Sequence, residues 1–254
     1  MSQTTNSKQN KVDQYRRNFL AQTTAVAGMT IAPGVILNSV AHAKSADQPV
    51  SDKNRWGMLI DANKCGTGCN ECVTACHEEN GVTGLGKPET DAQWIRKVKL
   101  TDKQTQKVQT IPLMCQHCAN PPCVDVCPTN ASMKREDGVV LVDKHACIGC
   151  RYCMMACPYG ARSFLHEPTT EKKYPRGQGT VESCTLCVHR IDDPNGPRNP
   201  ACVEACNTEG HKAMWFGDLK DPSSEITRRL TEYGGVQIRA DLGLNTGVRY
   251  QNLS

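Results

Sequence analysis

One stretch fixes most of what this 254-residue chain can become: between Cys115 and Pro158 it carries two quartets of cysteines back to back. The first is Cys115, Cys118, Cys123 and Cys127, followed by Pro128. The second is Cys147, Cys150, Cys153 and Cys157, followed by Pro158. Two further quartets flank them, Cys65, Cys69, Cys72 and Cys76 before and Cys184, Cys187, Cys202 and Cys206 after, and these account for all 16 cysteines. With only 5% aromatic residues and no long apolar run, a core of oily side chains cannot be what organises the fold. Whatever binds the thiols has to.

Disulfides, zinc and iron–sulfur clusters compete for such cysteines. Four cysteines two or three residues apart make poor disulfide partners. Zinc ribbons use paired C-x2-C knuckles rather than four cysteines within a dozen residues. The spacing C-x2-C-x2-C-x3-C-P of Cys147 to Pro158 is the bacterial ferredoxin run for a [4Fe–4S] cluster. In that run three close-spaced thiolates wrap one cluster, and the fourth, on the short helix that follows, ligates a neighbouring one. Four quartets therefore predict four [4Fe–4S] clusters, with ligands exchanged within an inner and an outer pair. The first cluster takes Cys115, Cys118, Cys123 and Cys157; the second takes Cys147, Cys150, Cys153 and Cys127. The third takes Cys65, Cys69, Cys72 and Cys206; the fourth takes Cys184, Cys187, Cys202 and Cys76. Low apolar content then makes sense, because cluster ligation supplies folding free energy as structural metals do in small domains. Such a chain moves electrons one at a time.

The outer quartets depart from the run. Gly66-Thr67-Gly68 puts three residues between Cys65 and Cys69 where two are usual, and glycines tolerant of positive φ are expected to absorb the extra one. His77 and Asn207 stand where proline usually follows the fourth cysteine, and Asp192 to Pro200 fill a wide gap before Cys202 as an irregular loop.

Between the quartets the pattern predicts small α and β elements. Trp56 to Asp61 reads as a strand, and His77 to Gly81 as a helical turn stopped by glycine. Trp94 to Leu100 with Lys107 to Met114 reads as a hairpin. Ala131 to Lys134 with Val139 to Val142 reads as a second, turning at Glu136-Asp137-Gly138. A short strand is expected over Ala213 to Phe216. Asp221 is the expected N-cap, with Pro222 at the first position, of a helix running to Tyr233 before Gly234-Gly235. Val236 to Ser254 reads as a tail docked on a neighbour. The fold class expected is α+β: two interleaved two-cluster ferredoxin-like modules with short hairpins and small helices. The divisions are 1–43, 44–114 (first quartet and hairpin of the outer module), 115–166 (inner module), 167–216 (fourth quartet, closing the outer module) and 217–254 (C-terminal helix and partner-docking tail).

The N-terminus reads as an address. Tyr15-Arg16-Arg17-Asn18-Phe19-Leu20 looks like a twin-arginine export signal, followed by an uncharged stretch ending in Ala41-His42-Ala43. Gln22, Thr23, Thr24, Thr30, Pro33 and Asn38 make it poor hydrocarbon material for an anchor. Clusters are inserted in the cytoplasm, and the twin-arginine route carries folded cargo, so the two signals agree on a periplasmic protein beginning near Lys44. Net charge is +4, but residues 1–43 hold Lys8, Lys11, Arg16 and Arg17 against Asp13, leaving 26 basic and 25 acidic residues beyond them, a net of +1. That balance gives no basic surface for nucleic acid. No G-x-G-x-x-G, no P-loop and no nucleophile with a base is present, so no catalytic site of its own is expected. His77, His117 and His189 beside the quartets are read as supporting or solvent-facing, and Trp94 as packing. Arg151 and Arg162 are read either as counter-charges to the clusters or as solvated.

The whole pattern resembles the four-cluster iron–sulfur subunits of membrane-bound redox complexes, such as those of tetrathionate, polysulfide, dimethyl sulfoxide and nitrite reductases. The resemblance runs from Trp56 to about Leu230. It is carried by Cys115-Gln116-His117-Cys118-Ala119-Asn120-Pro121-Pro122-Cys123, Lys134-Arg135-Glu136-Asp137-Gly138 and Cys147-Ile148-Gly149-Cys150. Cys157-Pro158-Tyr159-Gly160-Ala161-Arg162 and Cys184-Thr185-Leu186-Cys187-Val188-His189-Arg190 add to it. Within the family, the export signal, Met154-Met155 and Arg162-Ser163-Phe164 are similar to the periplasmic DsrO-type subunit of the Dsr complex of sulfur metabolism. The resemblance implies a polysulfide-reductase-type multi-span membrane subunit that handles quinone as one partner. It implies a cytochrome c or a molybdopterin catalytic subunit as the other, with peripheral membrane association through the complex.

Overall fold

The computed structural model describes residues 50–168 and 177–253. The export segment over 1–43 and its cleavage site lie outside the described residues, as do residues 169–176. In chain order the elements are β1 (Trp56–Asp61), α1 (Glu71–Asn80), β2 (Ile95–Thr101), β3 (Val108–Met114), α2 (Pro122–Asp125), β4 (Ser132–Lys134), β5 (Val140–Val142) and α3 (Tyr152–Ala156). They continue with β6 (Ser163–Phe164), β7 (Val181–Glu182), α4 (Val188–Ile191), α5 (Ala201–Thr208), β8 (Met214–Asp218), α6 (Glu225–Tyr233), a 3₁₀ turn (Ala240–Leu242) and β9 (Val248–Gln251). It is a mixed α/β fold of small helices and small sheets.

The largest sheet orders its strands β8-β1-β9, with β1 antiparallel to β8 and parallel to β9. Successive residues of a strand face opposite sides, and β1 is buried on both. Met58 and Ile60 turn into the cysteine-rich core with Met214, Val248 and Tyr250, while Leu59 packs with Trp215 and Ile226 of α6. Three two-stranded ribbons, β2-β3, β4-β5 and β6-β7, complete the sheets among the described residues. The two hairpins predicted from sequence sit within a residue of expectation, and Gly138 takes φ +88 at the turn of the second.

Three expectations change. First, α6 is capped by Ser224, whose Oγ accepts from the Thr227 N–H at 3.3 Å. The Asp221 carboxylate is taken up by the Ser223 N–H (2.8 Å) and hydroxyl (2.7 Å), so it closes the turn before the helix instead. Second, the turn predicted from His77 to Gly81 is only the end of α1, which begins at Glu71; Gly81 does stop it, at φ +63. Third, the C-terminal tail docks on its own chain. Gly247 donates to the carbonyls of Gln116 (2.8 Å) and His117 (3.1 Å), and Ala119 donates to Leu244 (3.0 Å). Tyr250, 0% exposed, donates its hydroxyl to the Pro112 carbonyl at 3.0 Å. The sequence missed this because β9 pairs with a strand nearly two hundred residues earlier, and nothing local announces such a partner.

Candidate metal centres

Backbone conformation aims the thiols. In Cys115-x-x-Cys118, Cys147-x-x-Cys150 and Cys184-x-x-Cys187 the residue before the second cysteine is left-handed: His117 at φ +43, Gly149 at +72 and Leu186 at +54. Only at Gly149 is glycine compulsory, because a Cβ there would sit 2.2 Å from the Gly179 carbonyl oxygen. The Cys65 loop differs from expectation. Neither Gly66 nor Gly68 has positive φ; the extra residue is taken up in a turn closed by the Cys69 N–H on the Gly66 carbonyl at 3.3 Å. Gly66 is small for another reason: a Cβ would meet His211 Nε2 at 2.5 Å.

All 16 cysteines are free thiols. Cys115, Cys118, Cys123 and Cys157 line one small cavity, with Pro121, Pro122, Val140, Tyr159 and Arg162 among its walls. Cys127, Cys147, Cys150 and Cys153 line another, walled by Ala131, Val142, Ile148 and Val181. Cys72 lies within electrostatic reach of Cys65, Cys69 and Cys206, and Cys206 of Cys65 and Cys69. Cys76 lies within reach of Cys184, Cys187 and Cys202. In each quartet one cysteine thus comes from the partner run: Cys157 and Cys127 are exchanged between the inner runs, Cys206 and Cys76 between the outer ones.

The quartets follow one another in space. Cys72 lies within electrostatic reach of Cys76 and Cys202, Cys115 of Cys184, and Cys123 of Cys153. The order is therefore the Cys65 quartet, the Cys76 quartet, the Cys115 quartet and the Cys127 quartet. Exposure is graded along this line. The Cys76 quartet is wholly buried and the Cys115 quartet buried but for Cys157; at one end Cys65 and Cys69 are half-buried, and at the other Cys150 is exposed.

These sites fit an iron–sulfur core. Burial pushes the Cys72 and Cys184 thiols up to about 12 and Cys118 up to about 11. Sulfurs that unwilling to ionise need a cationic core to become thiolates. Backbone N–H groups already aim at them: Ser132 at Cys127 (3.3 Å), Val181 at Cys147 (3.4 Å), Leu186 at Cys184 (3.4 Å) and Ala213 at Cys206 (3.3 Å). No set of three or more His, Cys, Asp or Glu among the described residues is arranged around a single ion, whereas a four-iron cube spreads its ligands over four corners.

Side chains differ from quartet to quartet. Lys97 of β2 donates Nζ to Cys65 Sγ (2.8 Å) and to the Gly66 carbonyl (3.1 Å). Asn80 donates Nδ2 to the Cys76 carbonyl (2.8 Å), with Cys76 Sγ and Cys187 Sγ each at 3.8 Å. Arg162 donates Nη2 to Cys123 Sγ (3.1 Å) and Ser132 Oγ (2.7 Å). Sequence reading missed Lys97 and Asn80, since neither is at a cysteine-run position; it named Arg162 without deciding its role. Arg151 stacks on Phe164 at 3.7 Å and is exposed. His117 is buried, accepts the Val140 N–H at Nδ1 (3.0 Å), and is held down to about 3 by burial first and by the charges of Arg162 and Arg55 next. It is a neutral structural link from the Cys115 loop to β5. His189 bonds Glu79 at 2.8 Å, tying α4 to α1, and Trp94 is buried in the core.

Known proteins are similar to this chain. Residues 106–219 match the model of the 4Fe–4S dicluster domain. The chain is 44% identical to the Hdr-like menaquinol oxidoreductase iron-sulfur subunit 1 of Archaeoglobus fulgidus, over 94% of this chain and 98% of that protein. It is 38% identical to a tetrathionate reductase subunit of Salmonella typhimurium, over 87% of this chain and 81% of that one. It is 40% identical to a sulfite dehydrogenase subunit of Allochromatium vinosum, over 76% and 81%.

Proposed function

The chain belongs to the family of 4Fe–4S electron-transfer subunits of membrane-bound oxidoreductase complexes, and from that premise we propose that it is a periplasmic four-cluster relay in sulfur-compound metabolism, of the Dsr type. The four quartets are the ligand sets of four [4Fe–4S] clusters, organised as two interleaved ferredoxin-like modules. The inner sets are Cys115, Cys118, Cys123 and Cys157, then Cys147, Cys150, Cys153 and Cys127. The outer sets are Cys65, Cys69, Cys72 and Cys206, then Cys184, Cys187, Cys202 and Cys76. The observation that carries this reading is the line they form, buried in the middle and open at both ends. Electrons enter and leave a protein where a redox centre approaches the surface, and the interior centres need no substrate access.

The partners are a quinone-handling multi-span membrane subunit and a soluble redox protein. Among the described residues no helix is long and apolar enough to cross a membrane, so attachment runs through the complex. The twin-arginine segment over 1–43 exports the folded chain. A molybdopterin reductase is the second reading, favoured by the similarity to the tetrathionate reductase and sulfite dehydrogenase subunits. Isolation of the complex from membranes separates the two: a cytochrome c supports the first, a large molybdopterin protein the second. Iron and acid-labile sulfide equivalent to four cubes are expected in either case. Their absence from the anaerobically isolated chain overturns both.

A further inference from the structure

Arg162 is a permanent cation placed where a cation is hard to keep. It is 5% exposed, and buried charges persist only when paired. Among the described residues its bonding partners are Cys123 Sγ and Ser132 Oγ, with the Cys153 thiol within electrostatic reach; no carboxylate is among them. Its Nε and Nη1 are buried without an acceptor. The side chain lines the cavity of the Cys115 quartet and reaches Cys153 of the next quartet. The countercharge it lacks in the protein has to come from what the two quartets hold.

Its placement is built. Pro158 ends α3, Gly160 turns the chain at φ +54, and β6 begins at Ser163, so Arg162 projects inward from a fixed strand end. Ser132, at the start of β4, anchors the guanidinium at 2.7 Å. Two other basic residues bear on one inner quartet each: Arg151, stacked on Phe164, lies on the exposed wall of the Cys127 cavity, and Arg55, held on the Asn245 carbonyl at 2.9 Å, is within electrostatic reach of Cys118. Lys134 binds the Ala119 carbonyl at 2.7 Å.

We propose that Arg162 is a shared positioning charge for the two inner clusters, raising the reduction potential of both while leaving the outer two untouched. This rests on the reading that the quartets hold clusters. Each cluster gains one negative charge on reduction, and a fixed cation at its thiolates stabilises that form. Because one guanidinium binds Cys123 of one quartet and Ser132 in the wall of the next quartet's cavity, both potentials move together. Lys97, bonded to Cys65 and within reach of Cys72 of the same quartet, acts on a single outer cluster.

The test is an EPR-monitored redox titration of the full chain in its complex, with iron and sulfide measured on each variant. Arg162→Gln keeps size and donors but removes charge. It is expected to keep wild-type iron and to lower two potentials, each by a tenfold or larger change in the reduction equilibrium, about 59 mV for a one-electron couple. Lys97→Gln lowers one, and a different one. If Arg162→Gln with full iron shifts no potential, or only one, the proposal fails. If Arg162→Gln loses iron, Arg162→Lys decides: full iron with both potentials near wild type upholds the charge, and equal loss of iron overturns it. Wild-type protein without iron and sulfide would refute the cluster reading itself, an outcome distinct from unshifted potentials.

Discussion

The inner and outer halves of this chain present the same cysteine quartets on differently built helices. In the inner half, α2 and α3 span only Pro122–Asp125 and Tyr152–Ala156, and both stop before the last cysteine of their run. Pro128 and Pro158 explain this, because the residue before a proline is pushed out of the helical region; Cys157 is extended, at φ −79 and ψ 111. In the outer half His77 and Asn207 replace those prolines, and α1 and α5 run on past Cys76 and Cys206 to Asn80 and Thr208. α1 packs against α5, and its extra turn carries Asn80 to the sulfurs of Cys76 and Cys187. The departure from the run at His77 and Asn207 goes with a longer helix. The inner half, lacking helical length, is held from outside by the C-terminal tail on the Cys115 loop and from within by Arg162.

The sharpest way to break that contrast is to remove the outside support. Tyr250→Ala empties a fully buried aromatic site whose hydroxyl also receives the Gln116 Nε2 donor at 3.3 Å. Truncations of this kind cost about 3–5 kcal/mol. Thermal melting should show a large loss, and hydrogen exchange should rise first over residues 115–120 and 244–251. Unchanged protection of 115–120 would mean that the tail does not hold the inner loop. A smaller effect, on the other half, is expected from His77→Pro, which imposes the inner pattern on α1. A proline inside a helix costs about 3 kcal/mol and should end α1 before Asn80, with iron lost from the outer quartets while the inner quartets stay loaded. Retention of a continuous α1 by hydrogen exchange would refute the role assigned to His77.

Much of this was legible because it is local. The quartets, β1 from Trp56 to Asp61 and both hairpins follow from spacing and alternation within a few residues. The misses share a physical cause. β9 finds its partner across most of the chain, Lys97 reaches Cys65 from a strand thirty-odd residues on, and Arg162 differs from Arg151 only in which way its backbone turns it. Burial of a charge is a property of the fold around it, so composition left those two arginines equivalent. Gly66 teaches the converse: its residue type was anticipated for φ, but the constraint is the close approach of His211.

The finest test concerns Asn80. The Cys76 quartet is buried throughout, and the one side chain bonded to its sulfurs among the described residues is this neutral amide. Arg190, the cation within reach of Cys187, is paired with Glu79 and Glu204, so burial still disfavours the added charge of reduction, and weak N–H···S contacts offset only part of that. The cluster proposed there should therefore have the lowest potential of the four. Asn80→Ala removes the 2.8 Å bond to the Cys76 carbonyl as well as both sulfur contacts, a loss of about 1 kcal/mol in stability. It should lower that one potential further, by less than Arg162→Gln lowers either inner one. A larger shift from the amide than from the guanidinium would mean that hydrogen bonding, rather than fixed charge, separates the two halves.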